Sequence, residues 1–211
     1  MENYKYDIID MKKLLVIIDA GHGLETKGKR SPDGRLLEYK WAREFSQMLY
    51  DRLTELGIAA HLLVPEEKDV SLGNRCLRAN TIYKNFKYQG YECLYVSIHV
   101  NAAKSDGQWH DARGCTVWCY TNASSKSKKA GQIYAKISKE MKLTGNRCIP
   151  AVGYYTANFY VLKNTDMPAI LVEHDFQDNK ADVDYLLSDS GKKELLKWHE
   201  SSILEYINTL K

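Results

Sequence analysis

Residues 14–23 read LLVIIDAGHG, an apolar run that passes directly into a turn rich in glycine. The run from Leu14 to Ile18 has the length and the β-branched content of a strand buried on both faces. His22, a side chain that can bind a metal or move a proton, lies in the turn that ends the run. The stretch therefore predicts a strand of a helix-covered sheet, with a reactive side chain just beyond the carboxyl end of that strand.

Strand-like and helix-like segments alternate along the rest of the chain. Helical spacing of apolar residues runs from Trp41 to Leu56, from a cap at Ser71, from a cap at Ser124 or Ser125, and from about Ser190. The other strand-like runs are residues 58–64, 92–100, 114–120, 158–162 and 169–173. This alternation predicts an α/β fold: a mostly parallel or mixed twisted sheet of about six strands, with helices on both faces. We expect a polar lead-in at 1–12 and one domain at 13–211.

Composition and charge exclude several classes of protein. The 211 residues are 44% hydrophobic and 27% charged, and 13 Gly with 4 Pro are too few for a collagenous or low-complexity chain. A net charge of +3 is too small to indicate a protein that binds nucleic acid by neutralising its phosphates, so we expect no nucleic-acid partner. Five cysteines, with no CxxC pair, do not indicate a disulfide framework. Cys115 and Cys119 are interpreted as packing thiols.

The amino-terminal residues and the apolar runs bear on localisation. The stretch MENYKYDIIDMKK does not have the cationic start and apolar core of a secretory signal, so no signal peptide is visible. No run approaches the roughly 18 apolar residues of a transmembrane helix. We expect synthesis in the cytoplasm, and a monomer, although the sequence does not determine the oligomeric state. The lysines of residues 126–142 are either a solvated helix face or a surface attracted to an anionic wall or membrane.

Three apolar runs end in residues that bind metals or move protons. His22 follows the first, His99 lies near the end of residues 92–100, and Glu173 ends residues 169–173. Ligands of open α/β sheets collect in the crevice beyond the carboxyl ends of the strands, where distant side chains converge. Glu38 lies at the entry of the first helix and can join them. Two His and one Glu form a known catalytic zinc set, although a hydrogen-bonded structural imidazole is the ordinary alternative for each histidine.

Four motifs in order resemble the zinc-dependent N-acetylmuramoyl-L-alanine amidases of the Amidase_3 type, over roughly residues 14 to 207. DAGHG at 19–23 is similar to the first-strand motif of this family, and Glu38 in LLEYKWA falls where the ligand Glu of the family stands. SIHVNA at 97–102 resembles the motif of the second metal His, and LVEHDFQDN at 171–179 resembles the last-strand motif with the catalytic Glu. RCLRAN at 75–80 is similar to the Arg and Ala-Asn helix of the family. Departures are Leu24 and Asp175, each where the family often has glycine.

The resemblance implies a hydrolase. One Zn²⁺ per chain would be held by His22, Glu38 and His99, with Glu173 as general base and acid toward a metal-activated water. The implied substrate is the amide bond between N-acetylmuramic acid and L-alanine in peptidoglycan muropeptides. Without a visible signal, the enzyme would reach peptidoglycan after release or export, as phage or prophage lysis enzymes do.

Several neighbouring residues have open assignments. Asp19 either orients a ligand imidazole or caps the glycine turn. Asn101 and His110 are candidate substrate-binding residues, with a loop-stabilising amide and an exposed loop histidine as the alternatives. His174 ranks below His22 and His99 as a ligand, because an extended strand points it to the face opposite Glu173. We expect Arg75 and Arg78 to pair with acidic groups.

Two other functions remain open from the sequence. The first is a wall-recognition module without hydrolysis, against which Glu173 beside the three ligands argues. The second is a zinc peptidase that acts on ordinary peptides.

Overall fold

Six strands form one open mixed sheet in the computed structural model, which describes residues 13–210. The strands are β1 (Leu14–Ala20), β2 (Ala59–Leu62), β3 (Glu92–Asn101), β4 (Thr116–Tyr120), β5 (Tyr155–Ala157) and β6 (Ala169–Phe176). They lie in the order β2-β1-β3-β6-β4-β5. The predicted lead-in at 1–12 lies outside the described residues. The predicted α/β class, strand number and mixed sheet are confirmed.

The topology creates a crevice between β1 and β3. Strands β2, β1, β3 and β6 are parallel, whereas β4 runs antiparallel to β6 and pairs in parallel with β5. From β1 the chain passes to β2 on one side, and β3 then pairs with β1 on its other side. Such a reversal of strand order opens a crevice at the carboxyl ends of the strands. His22 and His99 lie at this end of β1 and β3.

Helices cover both faces of the sheet. The helices are α1 (Glu38–Glu55), α2 (Leu72–Tyr88), α3 (Ser125–Glu140), α4 (Tyr160–Asn164), α5 (Lys180–Leu187) and α6 (Asp189–Asn208). One core, with Val16, Ile98 and Val172 from the strands, packs against α1, α3 and α6. The other, with Ile17, Tyr95 and Leu171, packs against α2 and α4. The alternation of side chains along each strand divides them between these two cores.

The predicted helix starts at two serines are confirmed. The Ser71 hydroxyl accepts a hydrogen bond from the Asn74 N–H at 3.3 Å, and the Ser124 hydroxyl accepts one from the Ser127 N–H at 3.2 Å. Each satisfies a backbone donor that the first helical turn leaves free. On α3, Lys126 pairs with Glu92 and Lys136 with Glu205, so part of the lysine-rich face is neutralised within the fold.

The predicted strand at 158–162 is wrong. Residues 160–164 form the short helix α4, and the short strand before it is β5. Val161 and Leu162 are both buried, whereas an extended strand would send them to opposite sides. A short apolar run does not distinguish the two structures, because both bury it.

Helix α5 was not predicted, although its start carries a signal. The Asn179 side chain accepts hydrogen bonds from the N–H groups of Ala181 and Asp182, each at 3.1 Å. Asparagine is among the preferred residues at this capping position. Within the described range, no helix is long and apolar enough to cross a membrane.

Candidate metal centre

Three side chains from separate parts of the chain meet at the carboxyl edge of the sheet. His22 lies in the turn after β1, His99 near the end of β3, and Glu38 is the first residue of α1. Glu38 Oε1 is 3.3 Å from His22 Nε2 and 3.2 Å from His99 Nδ1. The two imidazole rings stand edge to face, with centroids 4.9 Å apart. One ligand atom from each residue lies within 4.8 Å of the others, so the three residues can share one metal ion.

Glu38 is buried and aims its charge at the two imidazoles. Its Oε1 also accepts a hydrogen bond from the Val100 N–H at 3.0 Å, while Oε2 has no hydrogen-bond partner among the described residues. Burial raises the pKa of Glu38, but the hydrogen bonds to His22 and His99 outweigh burial and hold the pKa below its usual value. The Lys29 ammonium lies 3.9 Å from Oε2, too far for a hydrogen bond. A buried carboxylate with a free oxygen suits a bound cation.

The turn that carries His22 is tightly confined. His22 has φ 59°, the left-handed region that costs a residue other than glycine about 1–2 kcal/mol. A Cβ on Gly21 would lie 2.5 Å from the His99 ring, and one on Gly23 would lie 2.2 Å from the Asp69 backbone. Glycine is therefore required on both sides of His22. Burial lowers the pKa of His22 despite the opposing effect of Glu38, which favours the neutral imidazole that metals bind.

Glu173 lies beside His99 at the carboxyl edge. The two residues are register partners on the parallel strands β6 and β3, which in a sheet lie about 4.8 Å apart. Burial raises the pKa of Glu173 to about 7, and His99 opposes that effect. Its Oε2 has no hydrogen-bond partner among the described residues. A carboxylate with a raised pKa and a free oxygen can accept and return a proton near neutral pH.

A cavity of about 430 Å³ opens over these residues. His22, His99 and Glu173 line it together with Lys29. The remaining lining residues come from β1, β6, the segment around the start of α2 and the start of α4: Asp19, Asp69, Val70, Ser71, Leu72, Arg75, Phe159, Tyr160, Val161 and Leu171. The cavity thus joins two imidazoles that can bind a metal and a carboxylate that can accept a proton, which are the groups that a metal-dependent hydrolase uses.

The match to known proteins covers most of the chain. Residues 16–205 match the Amidase_3 family, N-acetylmuramoyl-L-alanine amidase.

The chain belongs to this amidase family.

Two curated relatives are longer than this chain and share only part of their length with it. The chain is 28% identical over 202 residues to the endolysin of Bacillus phage SPP1. The aligned region covers 93% of this chain and 67% of the endolysin. It is 26% identical over 173 residues to the probable cell wall amidase LytH of Staphylococcus epidermidis. That aligned region covers 82% of this chain and 51% of the amidase. The chain therefore spans between about half and two thirds of the length of these relatives.

Solved structures show the same fold. The N-acetylmuramoyl-L-alanine amidase from Clostridium difficile 630 superposes with a TM-score of 0.79 over 95% of this chain and 100% of that chain. The sequence identity is 24%, so this likeness bears on the fold alone.

The departures from the amidase family pattern have structural explanations. Asp175, where the family often has glycine, has φ 52°, the backbone region that glycine adopts most readily and aspartate tolerates. It lies in a bulge, because His99 pairs with Glu173 whereas Asn101 pairs with Phe176. Strand β6 thus holds one more residue than β3 between these pairs. Leu24 is 57% exposed, so its side chain meets no steric barrier.

His174 points away from the metal centre. Its Nδ1 is 2.8 Å from the His99 carbonyl, and its Nε2 is 2.8 Å from His199 Nε2. The ring packs against Trp41 and Phe45, on the face of the sheet opposite the cavity. The predicted orientation is confirmed, and His199 proves to be a buried core residue.

Asp19 contacts neither imidazole through any hydrogen bond identified among residues 13–210. Its Oδ1 accepts from Arg75 at 2.6 Å, and its Oδ2 accepts from the Tyr95 hydroxyl at 2.6 Å and the Ser97 hydroxyl at 2.8 Å. Among the described residues, Asp19 accepts no hydrogen bond from the backbone of the glycine turn either, and these three neighbours occupy its carboxylate. The predicted pairing of Arg75 and Arg78 with acids is confirmed, and Arg78 contacts Glu66.

Asn101 and His110 stand outside the cavity lining. The Asn101 side chain accepts a hydrogen bond from the Ala102 N–H at 2.9 Å, and His110 Nε2 is 2.9 Å from Asp106 Oδ1. Both side chains thus contact the loop that follows β3. The cavity lining instead includes Lys29 and Tyr160, which belong to none of the sequence motifs. No local signal marks them, because their position depends on where a loop and a short helix pack.

Proposed function

We propose that this chain is a zinc-dependent amidase that cleaves the bond between N-acetylmuramic acid and L-alanine in peptidoglycan. The observation that carries the proposal is the meeting of His22, Glu38 and His99 within 4.8 Å, with Glu173 in register beside His99. Membership of the amidase family supports the choice of bond, as do the names of the cell wall amidase and endolysin relatives.

The donor set fits zinc. Two imidazole nitrogens and one carboxylate oxygen are a known catalytic zinc set that leaves a fourth position open. The burial of Glu38, and its Oε2 without a hydrogen-bond partner among the described residues, favour an ion at this place. Closed structural zinc sites are instead rich in cysteine, and none of the three residues is one. We propose one ion per chain.

The protein groups around the ion have distinct tasks. Zinc, when bound, supplies Lewis acidity and lowers the pKa of a coordinated water from about 15.7 toward about 7. His22, Glu38 and His99 hold and orient the ion. Glu173 takes a proton from the attacking water and returns it to the departing L-alanine nitrogen, a role worth about 10²- to 10⁴-fold in rate.

The cavity accommodates the substrate around the scissile bond. Its walls combine the Lys29 ammonium, which lies 3.9 Å from Glu38 Oε2, with apolar side chains such as Val161 and Leu171. Tyr160 also lines the cavity and is 49% exposed, so its ring offers a flat surface to a ligand. Asp19 holds Arg75, which in turn donates to the His22 carbonyl. We assign no substrate contact to Asn101 or His110.

Product analysis tests the proposal. Purified peptidoglycan is incubated with the zinc-loaded protein, and the released fragments are identified by mass spectrometry. The proposal predicts stem peptides with a free L-alanine amine and glycans with a free lactyl carboxyl group. Cleavage within sugar-free peptides would indicate a peptidase, and binding to peptidoglycan without any release would indicate a recognition module; either result contradicts the proposal.

The cellular setting follows from the same relatives. An endolysin is among them, so we propose that this chain acts on peptidoglycan after release or export.

A further inference from the structure

Two arginines from opposite faces of the sheet converge on the backbone of His22. The His22 carbonyl oxygen accepts a hydrogen bond from Arg75 Nη2 at 2.8 Å and another from Arg43 Nη2 at 2.9 Å. Arg43 lies on α1, and Arg75 lies on α2. A carbonyl oxygen has two lone pairs, so this one is fully engaged.

The same guanidinium groups grip the residues before His22. Arg75 Nη1 also donates to the Ala20 carbonyl, and Arg43 Nη1 donates to the Gly21 carbonyl at 3.4 Å. Consecutive carbonyls of the turn are thus held from two sides. This matters because His22 has the uncommon φ of 59°, which the surrounding structure must maintain.

Each arginine is itself fixed. Arg75 is 2% exposed, and it donates to Asp19 Oδ1 at 2.6 Å and to the Val70 carbonyl at 2.8 Å. Arg43 donates to the Glu66 carbonyl at 2.8 Å and to the Tyr39 carbonyl at 2.9 Å. Neither guanidinium is therefore free to follow the turn if it moves.

Bringing two positive charges to one carbonyl has an electrostatic cost. Burial lowers the pKa of Arg43, and the charge of Arg75 lowers it further. Burial also disfavours the charged form of Arg75, but the Asp19 carboxylate outweighs burial, so the pKa of Arg75 is raised. The arrangement places these charges where they immobilise one residue, and that residue is a proposed metal ligand.

We propose that Arg43 and Arg75 form a clamp on the His22 carbonyl that aims the His22 imidazole and thereby sets the affinity of the metal site. The inference rests on the proposed function, because it assumes that His22 binds the ion. Both arginines are positioning residues: in this role they act through His22. Partners that orient metal ligands typically change metal affinity by about 10- to 100-fold when removed.

The experiment compares Arg43→Gln and Arg75→Gln with Arg78→Gln. Arg78 is the matched control, because it lies one turn after Arg75 on α2 and also donates to a carbonyl and a carboxylate, those of Leu63 and Glu66. Zinc affinity is measured by competition with a chelator. The visible spectrum of the Co²⁺-substituted protein reports coordination, and thermal unfolding of the metal-free protein reports stability.

The clamp predicts zinc binding weaker by about 10- to 100-fold in Arg43→Gln and Arg75→Gln, with altered Co²⁺ spectra, and unchanged affinity in Arg78→Gln. If Arg75→Gln does not fold, Arg43→Gln decides the outcome, because Arg43 is only partly buried. A folded Arg43→Gln protein with the affinity and spectrum of Arg78→Gln would overturn the clamp. A wild-type protein that binds neither ion would instead overturn the proposed function.

Discussion

Glu173 lies directly opposite His99 on the neighbouring parallel strand, in the last regular pair before the bulge in β6. This pair joins the proposed proton acceptor to the proposed metal site through backbone hydrogen bonding rather than through a mobile loop. Groups held on strands keep their geometry better than groups held on loops. The register of β3 and β6 thus determines the distance between the proposed proton acceptor and the proposed metal site.

Removal of the metal should stop hydrolysis and destabilise the fold. Without an ion, the polar neighbours of the buried Glu38 carboxylate among the described residues are the two imidazoles, the Val100 N–H and Lys29 at 3.9 Å. Free zinc at 100 times its dissociation constant adds about 2.7 kcal/mol to the free energy of unfolding, and chelation removes that amount. Calorimetry and metal analysis of His99→Ala provide the control, since this variant should not respond to the chelator. Full activity in protein shown to be metal-free would contradict the account.

A methyl group at Gly21 should damage the site. The Cβ of Gly21→Ala would lie 2.5 Å from His99 Cε1, so the imidazole must shift. We expect a loss of about 1–3 kcal/mol in unfolding free energy and weaker metal binding. Gly73→Ala is the matched control, because its Cβ meets nothing closer than the Tyr160 hydroxyl at 3.9 Å and helical alanine stabilises by up to about 1 kcal/mol. Equal behaviour of the two variants in metal binding would refute the steric argument.

The stability should depend on pH through Asp175. Burial and the nearby Asp182 raise the pKa of Asp175 to about 7, against about 3.9 in an unfolded chain. The folded state therefore binds the proton more tightly, so this group's contribution is present at pH 4 and is lost as the pH rises to about 7. Asparagine keeps the side-chain shape, tolerates positive φ and does not titrate.

Urea unfolding at several pH values measures this effect. The stability of Asp175→Asn relative to wild type should rise by a few kcal/mol between pH 4 and pH 7 and then level off. A constant difference across that range would show that Asp175 is not protonated in the folded protein.

The buried pair His174 and His199 should have opposite tautomers. Burial lowers the pKa of His174 to about 3 and also lowers that of His199, so both rings are neutral at pH 7. The His99 carbonyl only accepts, so His174 Nδ1 must carry the hydrogen and His174 Nε2 must accept from His199 Nε2. His199 Nδ1 then accepts from the Tyr134 hydroxyl at 3.2 Å. Imidazole nitrogen shifts in ¹⁵N NMR report the two tautomers directly, and identical patterns for both rings would rule out this chain of hydrogen bonds.

The sequence predicted the parts of the site that depend on strand ends. An apolar run locates a buried strand, and the carboxyl ends of parallel strands meet at one edge, so His22, His99 and Glu173 could be placed together from pattern alone. The position of Glu38 followed from the start of a periodic helix.

The remaining features depend on tertiary packing. Arg43 and Arg75 lie on two helices, and nothing in either helical pattern indicates that both reach the His22 carbonyl. The apolar run at 158–162 carries no periodicity that separates a strand from a single helical turn. Asn101 ends β3 and His110 lies in the loop that follows, and the shape of that loop, not its sequence order, decides what they contact.

The most direct test compares hydrolysis and zinc content in the same samples of wild-type and Glu173→Gln protein. Glutamine has nearly the same size but does not accept a proton at neutral pH, and Glu173 is not one of the three ligands. The account predicts one zinc per chain in both proteins and a rate at least about 10²-fold lower in Glu173→Gln. Unchanged turnover by the zinc-loaded variant would contradict the assignment of Glu173 as the proton acceptor, and with it the proposed mechanism.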